Sequence, residues 1–184
     1  ELIESVLEQR FPHISQLNQR TISRFADGNS RVAIALAQTM ERHDSLAGLN
    51  DNELFDRLFW LGKEVDQELK VAAEVCSLVY SFDVEDTDGE LAQLGALADC
   101  KPLALYRHVA DLEERGLAQR RGSWRAILPH AISNRLAARA LDSIPLRLVE
   151  KHLVSGQERL WQSFSRRLGY LHKSPRAVEL APAA

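Results

Sequence analysis

Several things are scarce in this sequence, and each scarcity removes a class of function. Two cysteines, Cys76 and Cys100, stand in 184 residues without CxxC spacing. A zinc site is therefore not expected, and a chain of this length does not need a disulfide framework. Two free thiols in a reducing, cytoplasmic setting are expected instead. No apolar run approaches the about 20 residues that span a bilayer, so no membrane partner is expected. Glu1-Leu2-Ile3-Glu4 opens straight into an amphipathic pattern without a signal peptide or a Met, as expected of a piece of a longer protein. The net charge of −3 is not that of a protein that holds nucleic acid by bulk charge, so any DNA contact must be local.

Catalytic signatures are also missing. The sequence has no Gly-x-x-x-x-Gly-Lys-Ser/Thr phosphate loop, no HExxH and no GxSxG, and its six histidines are scattered. The chain is not expected to be an enzyme by itself. The acidic stretch from Asp83 to Glu90 fails as a calcium loop. With Gly89 as the invariant sixth residue, Val84 and Gly95 would occupy the first and twelfth ligand positions. A solvated loop leading into a helix N-terminus fits better.

What is present is mostly helical. Leu2, Ile3, Val6, Leu7 and Phe11 repeat at helical spacing until Pro12. Ser15 can cap a second helix with a stripe of Leu17, Ile22 and Phe25. Asp27-Gly28-Asn29-Ser30 is a turn, and a third helix runs through Val32, Ala33, Leu36, Ala37 and Met40. The polar stretch 43–50 reads as a link between subdomains. Asn50 and Glu53 form a capping box ahead of Leu54, Phe55, Leu58 and Phe59. Residues 66–82 are apolar on one side, through Leu69, Ala72, Ala73, Cys76, Val79 and Tyr80.

From Glu90 the pattern sharpens. Leu91, Leu94, Leu97 and Ala98 mark a short helix, and Asp99-Cys100-Lys101 a turn. Pro102 suits the start of a helix that is expected to carry Leu103, Tyr106, Val109 and Leu112 inward, with Gly116 ending it. Residues 117–128 read as two short strands around Gly122-Ser123. Helices resume over 130–141, 146–154 and 158–171, and Ser174-Pro175 and the last four residues read as frayed. The expected fold is mainly α: a helical lid-like bundle over 1–47, a winged helix-turn-helix domain with a small β-hairpin over 50–142, and a helical tail over 143–184.

A winged helix raises the prospect of DNA. Its second helix would enter the major groove while the wing touches the backbone. The candidates are Lys101, Arg107 and His108 on the helix and Arg120, Arg121, Trp124 and Arg125 on the wing. Asp111, Glu113 and Glu114 oppose this. Between Glu90 and Leu128 six Lys or Arg face five Asp or Glu, a balance of +1. The wing arginines serve equally well as solvated or ion-paired hairpin residues. A third reading is a protein-interaction scaffold built on the hairpin and the tail helices.

Residues 25–37, Phe-Ala-Asp-Gly-Asn-Ser-Arg-Val-Ala-Ile-Ala-Leu-Ala, resemble the lid segment of AAA+-related, STAND-type P-loop NTPases. In that family a Gly-Asx-x-Arg turn opens a lid helix, and a winged helix and then a histidine motif follow. Ile127-Leu128-Pro129-His130-Ala131-Ile132 occupies that last place. The resemblance implies that Arg31 and His130 contact bound nucleotide, ATP or ADP, held by an N-terminal ATPase core of the same chain. It implies a nucleotide-controlled conformational or oligomerisation switch, with a homo-oligomer as one outcome. A guanidinium at a helix N-terminus suits a polyphosphate. Two departures stand out: Ala131 replaces the family's Asp, and Asn29-Ser30-Arg31 replaces its Gly-x-Pro.

Overall fold

The computed structural model describes residues 2–41, 44–61 and 64–180, and of Trp60 and Leu61 only the backbone. The fold is mainly helical with a small three-stranded antiparallel sheet. Among the described residues no helix is long and apolar enough to cross a membrane. The chain divides into two compact units, 1–67 and 68–184.

The first unit is built by local capping chemistry. Helix α1 (Leu2–Arg10) buries Ile3 and Leu7 and stops before Pro12. Helix α2 (Gln16–Ala26) is capped by Ser15, whose hydroxyl accepts from the Asn18 amide at 3.4 Å. Its buried stripe is Asn18, Gln19, Ile22 and Ala26; Leu17, expected inside, is 62% exposed. The reason is polar. Asn18 turns inward because it donates to the Asp44 carbonyl and accepts from the Leu46 amide, and this rotates Leu17 out. Asp27 and Gly28 take positive φ values of 44° and 82°, the turn that brings Asn29 to the cap of helix α3 (Ser30–Gln38).

Helix α4 (Asp51–Arg57) carries the expected Asn50–Glu53 capping box. It was expected beyond a subdomain boundary at 47–50, but it belongs to the first unit. Buried Arg57 holds it there, donating to the Thr39 carbonyl at 3.3 Å and pairing with Asp44. A two-residue strand pair follows, β1 (Trp60–Leu61) with β2 (Glu64–Val65). The boundary thus falls after Gln67, not in the 43–50 link. His43 of that link lies outside the described residues.

The second unit begins with helix α5 (Gln67–Ser77), which buries Leu69, Ala72, Ala73 and Cys76. Strand β3 (Phe82–Asp83), helix α6 (Glu90–Leu97) and helix α7 (Pro102–Glu114) come next. The hairpin of β4 (Ala118–Arg121) and β5 (Trp124–Ile127) completes a sheet of order β3-β5-β4. Helix α7 starts at Pro102 and ends ahead of Gly116, which has φ of 71°. Its buried stripe is Leu105, Val109 and Leu112. Leu103 and Tyr106, expected inward, are 58% and 38% exposed. An i, i+4, i+7 ladder leaves room for one register only, and Leu105 claims it.

The acidic loop before α6 is capped by its own carboxylates. Asp83 accepts from the Glu85 amide at 2.9 Å, and buried Glu90 accepts from the Asp83 amide at 2.7 Å while pairing with Arg159. Helix α8 (His130–Ser143) is followed by α9 (Leu146–Val149), which continues as a π-helical turn over Glu150–Val154. Helix α10 (Glu158–Leu168) and helix α11 (Pro175–Leu180) follow. These are not a separate tail. Ser163 on α10 is bonded to Ser81 beside β3, its hydroxyl accepting from the Ser81 amide at 2.9 Å and donating to the Ser81 carbonyl at 2.6 Å. Nor is Ser174-Pro175 frayed: the Ser174 amide donates to the Leu171 carbonyl at 2.8 Å and Pro175 opens α11, while the last four residues lie outside the described residues.

Candidate functional site

The hairpin register sorts the candidate residues. Arg121 pairs with Trp124, Arg120 with Arg125 and Gln119 with Ala126. Side chains alternate faces along a strand, and cross-strand partners share a face. Gln119, Arg121, Trp124 and Ala126 therefore lie on one side, and Arg120, Arg125 and Ile127 on the other. The first group forms the floor of an open cleft of about 310 Å³, whose walls include Tyr80, Ser81, Leu128 and His130.

Arg125 touches this cleft but is not available to a ligand. It is 2% exposed, pairs with Glu113 of α7, and donates to the Gly122 carbonyl at 2.9 Å. The expectation that it faces DNA phosphates fails because Arg120 opposite would repel an unneutralised cation, and Glu113 neutralises it. Arg120 and Arg121 are exposed. Trp124 is partly exposed, with the Arg159 guanidinium 4.4 Å from its ring centre.

His130 opens α8 at the rim of the cleft. It stacks on Tyr80, with ring centres 5.3 Å apart and planes 26° from parallel, and on Tyr170 at 6.3 Å and 13°. The Arg166 guanidinium lies 3.7 Å from the Tyr80 ring centre, and that of Arg167 5.7 Å away. Burial, then the charges of Arg167 and Arg166, push the His130 pKa below its usual value. The backbone fixes this arrangement: the Tyr80 amide donates to the Ser163 carbonyl at 3.1 Å, tying the Tyr80 segment to α10.

Arg167 is fully buried and lacks a carboxylate partner among the described residues. It donates to Asn134 at 2.6 Å and to the Val79 carbonyl at 3.4 Å, while its Nε has no partner. Burial lowers its pKa to about 10. A buried cation without an anion leaves an uncompensated positive field beside the cleft. Among the described residues no Asp or Glu lines the cleft.

The remaining candidates lie elsewhere. Lys101 and Arg107 are exposed on α7, and His108 is half-buried with its Nε2 3.8 Å from Glu68. None of the three lines the cleft. Arg31 is exposed in the first turn of α3 in the other unit, where its amide donates to Asn29 at 3.1 Å. Sequence reasoning missed Tyr80 as a site residue, having assigned it to the apolar side of α5, and missed Arg166, Arg167 and Tyr170. The spacing Arg166-Arg167…Tyr170 puts both guanidiniums within a helical turn of an aromatic, which was the available signal.

The arrangement is suited to an anion: exposed guanidinium, an imidazole at a helix N-terminus, and no competing carboxylate. Among the described residues no cluster of His, Cys, Asp and Glu could hold a metal ion. No family model, curated protein or solved structure matches the chain.

Proposed function

We propose that the chain is the regulatory region of a STAND-type signalling ATPase, cytoplasmic, and not an enzyme by itself. Residues 68–184 would be its winged helix, and the first unit would hold its lid. The observation that carries this reading is His130: it follows the hairpin directly and opens a helix at a cleft lined by Arg121 and by no carboxylate. The order α5–β3–α6–α7–β4–β5, with β3 beside β5, supports a winged helix. The Asn29 cap and the exposed Arg31 support a lid helix that meets phosphate. An N-terminal ATPase core of the same chain would hold ADP or ATP. His130 and Arg31 would contact it, and loss of those contacts on exchange would shift the protein toward a homo-oligomer. The test is His130→Ala in the intact protein. Weakened ADP binding and oligomers at rest are expected; unchanged ADP affinity with an unchanged monomer sinks the reading.

Duplex DNA is the second reading, favoured by Arg120, Arg121 and Trp124 exposed on the hairpin. Titration of the chain with generic duplex at low and at moderate salt tests it. A DNA reader binds with a Kd of about 10⁻⁴–10⁻⁶ M and loses affinity steeply with salt. No binding at low salt removes this reading.

A further inference from the structure

Two basic side chains from separate segments line the cleft, Arg121 from β4 and His130 from the start of α8, and a third, Arg166 of α10, lies against Tyr80, which is itself part of the cleft wall. None of the comparisons or motifs above gives α10 a role. Arg166 is exposed, stands over Tyr80, and has no carboxylate partner among the described residues. Tyr80 in turn stacks on His130, so Arg166 and His130 both contact one aromatic ring of the cleft that Arg121 also lines. Arg167 behind that wall adds a buried charge that no protein anion neutralises.

We propose that Arg121, His130 and Arg166 form a single binding site for a phosphate group, preferably two linked phosphates, and that helix α10 is thereby part of the ligand-sensing surface. The proposal rests on the reading above only in its choice of phosphate. Two phosphates fit better than one, because the two guanidiniums come from different elements, β4 and α10, and each fork-shaped guanidinium takes two oxygens of one phosphate.

Phosphate binding at this site is coupled to a proton. Among the described residues the titratable and charged groups around His130 are Tyr80, Arg121, Arg166, Arg167 and Tyr170, with no carboxylate among them. Without ligand, burial and then the charges of Arg167 and Arg166 disfavour the protonated imidazole. An anion entering the cleft reverses that field, so His130 takes up a proton as the site fills. Binding therefore tightens as pH falls through the ordinary histidine range.

The experiment follows the His130 imidazole signal of the 184-residue chain by NMR across pH, with and without pyrophosphate, at constant ionic strength. Pyrophosphate is expected to raise the His130 pKa. Arg166→Gln and Arg121→Gln, both at exposed positions, are each expected to weaken pyrophosphate binding about tenfold or more, the loss of one charge-assisted hydrogen bond. Arg166→Gln is also expected to raise the pKa of ligand-free His130. Arg107→Gln on α7 is expected to change neither. If pyrophosphate leaves His130 untouched at every pH, the site is overturned. If it shifts His130 equally in Arg166→Gln and in the unaltered chain, the role of α10 is overturned while His130 remains a phosphate contact.

Parallel titrations with ADP and with a single-stranded oligonucleotide distinguish a nucleotide's phosphates from those of a nucleic-acid backbone. Either source binding with the same variant dependence supports the site. An oligonucleotide that binds where pyrophosphate does not overturns it. Should His130→Ala in the intact protein leave ADP affinity unchanged while the chain still binds pyrophosphate, the ATPase reading falls and the site stands.

Discussion

Two surfaces of the second unit carry basic side chains, and they differ in what answers those charges. Along α7 the molecule supplies its own anions. Arg115 pairs with Asp111 at 3.0 Å, Glu113 takes Arg125, and Glu68 lies 3.8 Å from His108. Around the cleft Arg121, Arg166 and buried Arg167 have no carboxylate partner among the described residues, and the pKa of His130 is depressed by burial and then by Arg167 and Arg166. Charge counting along the sequence treats the two surfaces alike, yet only the second gathers its unpaired basic side chains around a cleft. A basic residue points to a ligand when its field is left open.

The strongest way to break this contrast is to open a closed pair. Glu113→Ala strands Arg125, which is nearly fully buried, and is expected to cost about 3–5 kcal/mol in denaturant unfolding. The double variant Glu113→Leu, Arg125→Met is expected to recover most of it; a single variant costing under about 1 kcal/mol would mean that the pair is not desolvated. Next comes Arg167→Ala, which orphans Asn134 and the Val79 carbonyl and leaves a cavity, for an expected loss of about 2–4 kcal/mol. If it proves neutral, the buried charge costs as much as its hydrogen bonds return.

A smaller effect is pH dependence. The folded pKa of His130 lies below its usual 6.5, so the unfolded chain binds more protons between the two values. Stability is therefore expected to fall as pH drops through that window and to level off below the folded pKa. The effect is modest because the ring is exposed. Replacing His130 with Gln should flatten that slope, leaving a residual one from His152, whose pKa is also lowered. An unchanged slope would place the titration elsewhere. The smallest expectation is for Lys101→Gln and Arg107→Gln: less than about twofold change in pyrophosphate affinity, as for charges lying outside the cleft. A tenfold loss in either would erase the distinction between the two surfaces.

Much of the local structure is legible in the sequence, because caps and turns are written in single residues. Ser15, Asn29, the Asn50–Glu53 box, Pro102 and Gly116 all act where their chemistry places them. Orientation is less legible. Leu17 and Leu103 look like core residues by hydropathy, but Asn18 and Leu105 set the rotation of their helices. Strand β3 is two residues long and exists only through its pairing with β5, 43 residues on at the Phe82–Arg125 pair. No local pattern announces so short a strand. The candidate site is half legible. His130, Arg121 and Trp124 are picked out by motif and charge, and the hairpin register, readable from the Gly122-Ser123 turn, separates Arg121 from Arg125. The contribution of α10 is not, since it depends on a hydroxyl meeting a backbone across the fold.

That hydroxyl has a further consequence. Ser163 closes both backbone valences of Ser81, as a bolt passes through two plates, and Arg159 and Tyr80 add their own ties between the same segments. A winged helix is commonly pictured as a cassette that can be cut after its hairpin and moved between proteins. Here the hairpin-bearing sheet is tied to the helices that follow it. Any exchange, in the laboratory or by recombination, that separates residues before 142 from those after 158 leaves Ser81 with a bare amide and carbonyl. Shuffling would therefore have to carry α10 and the sheet as one inheritance.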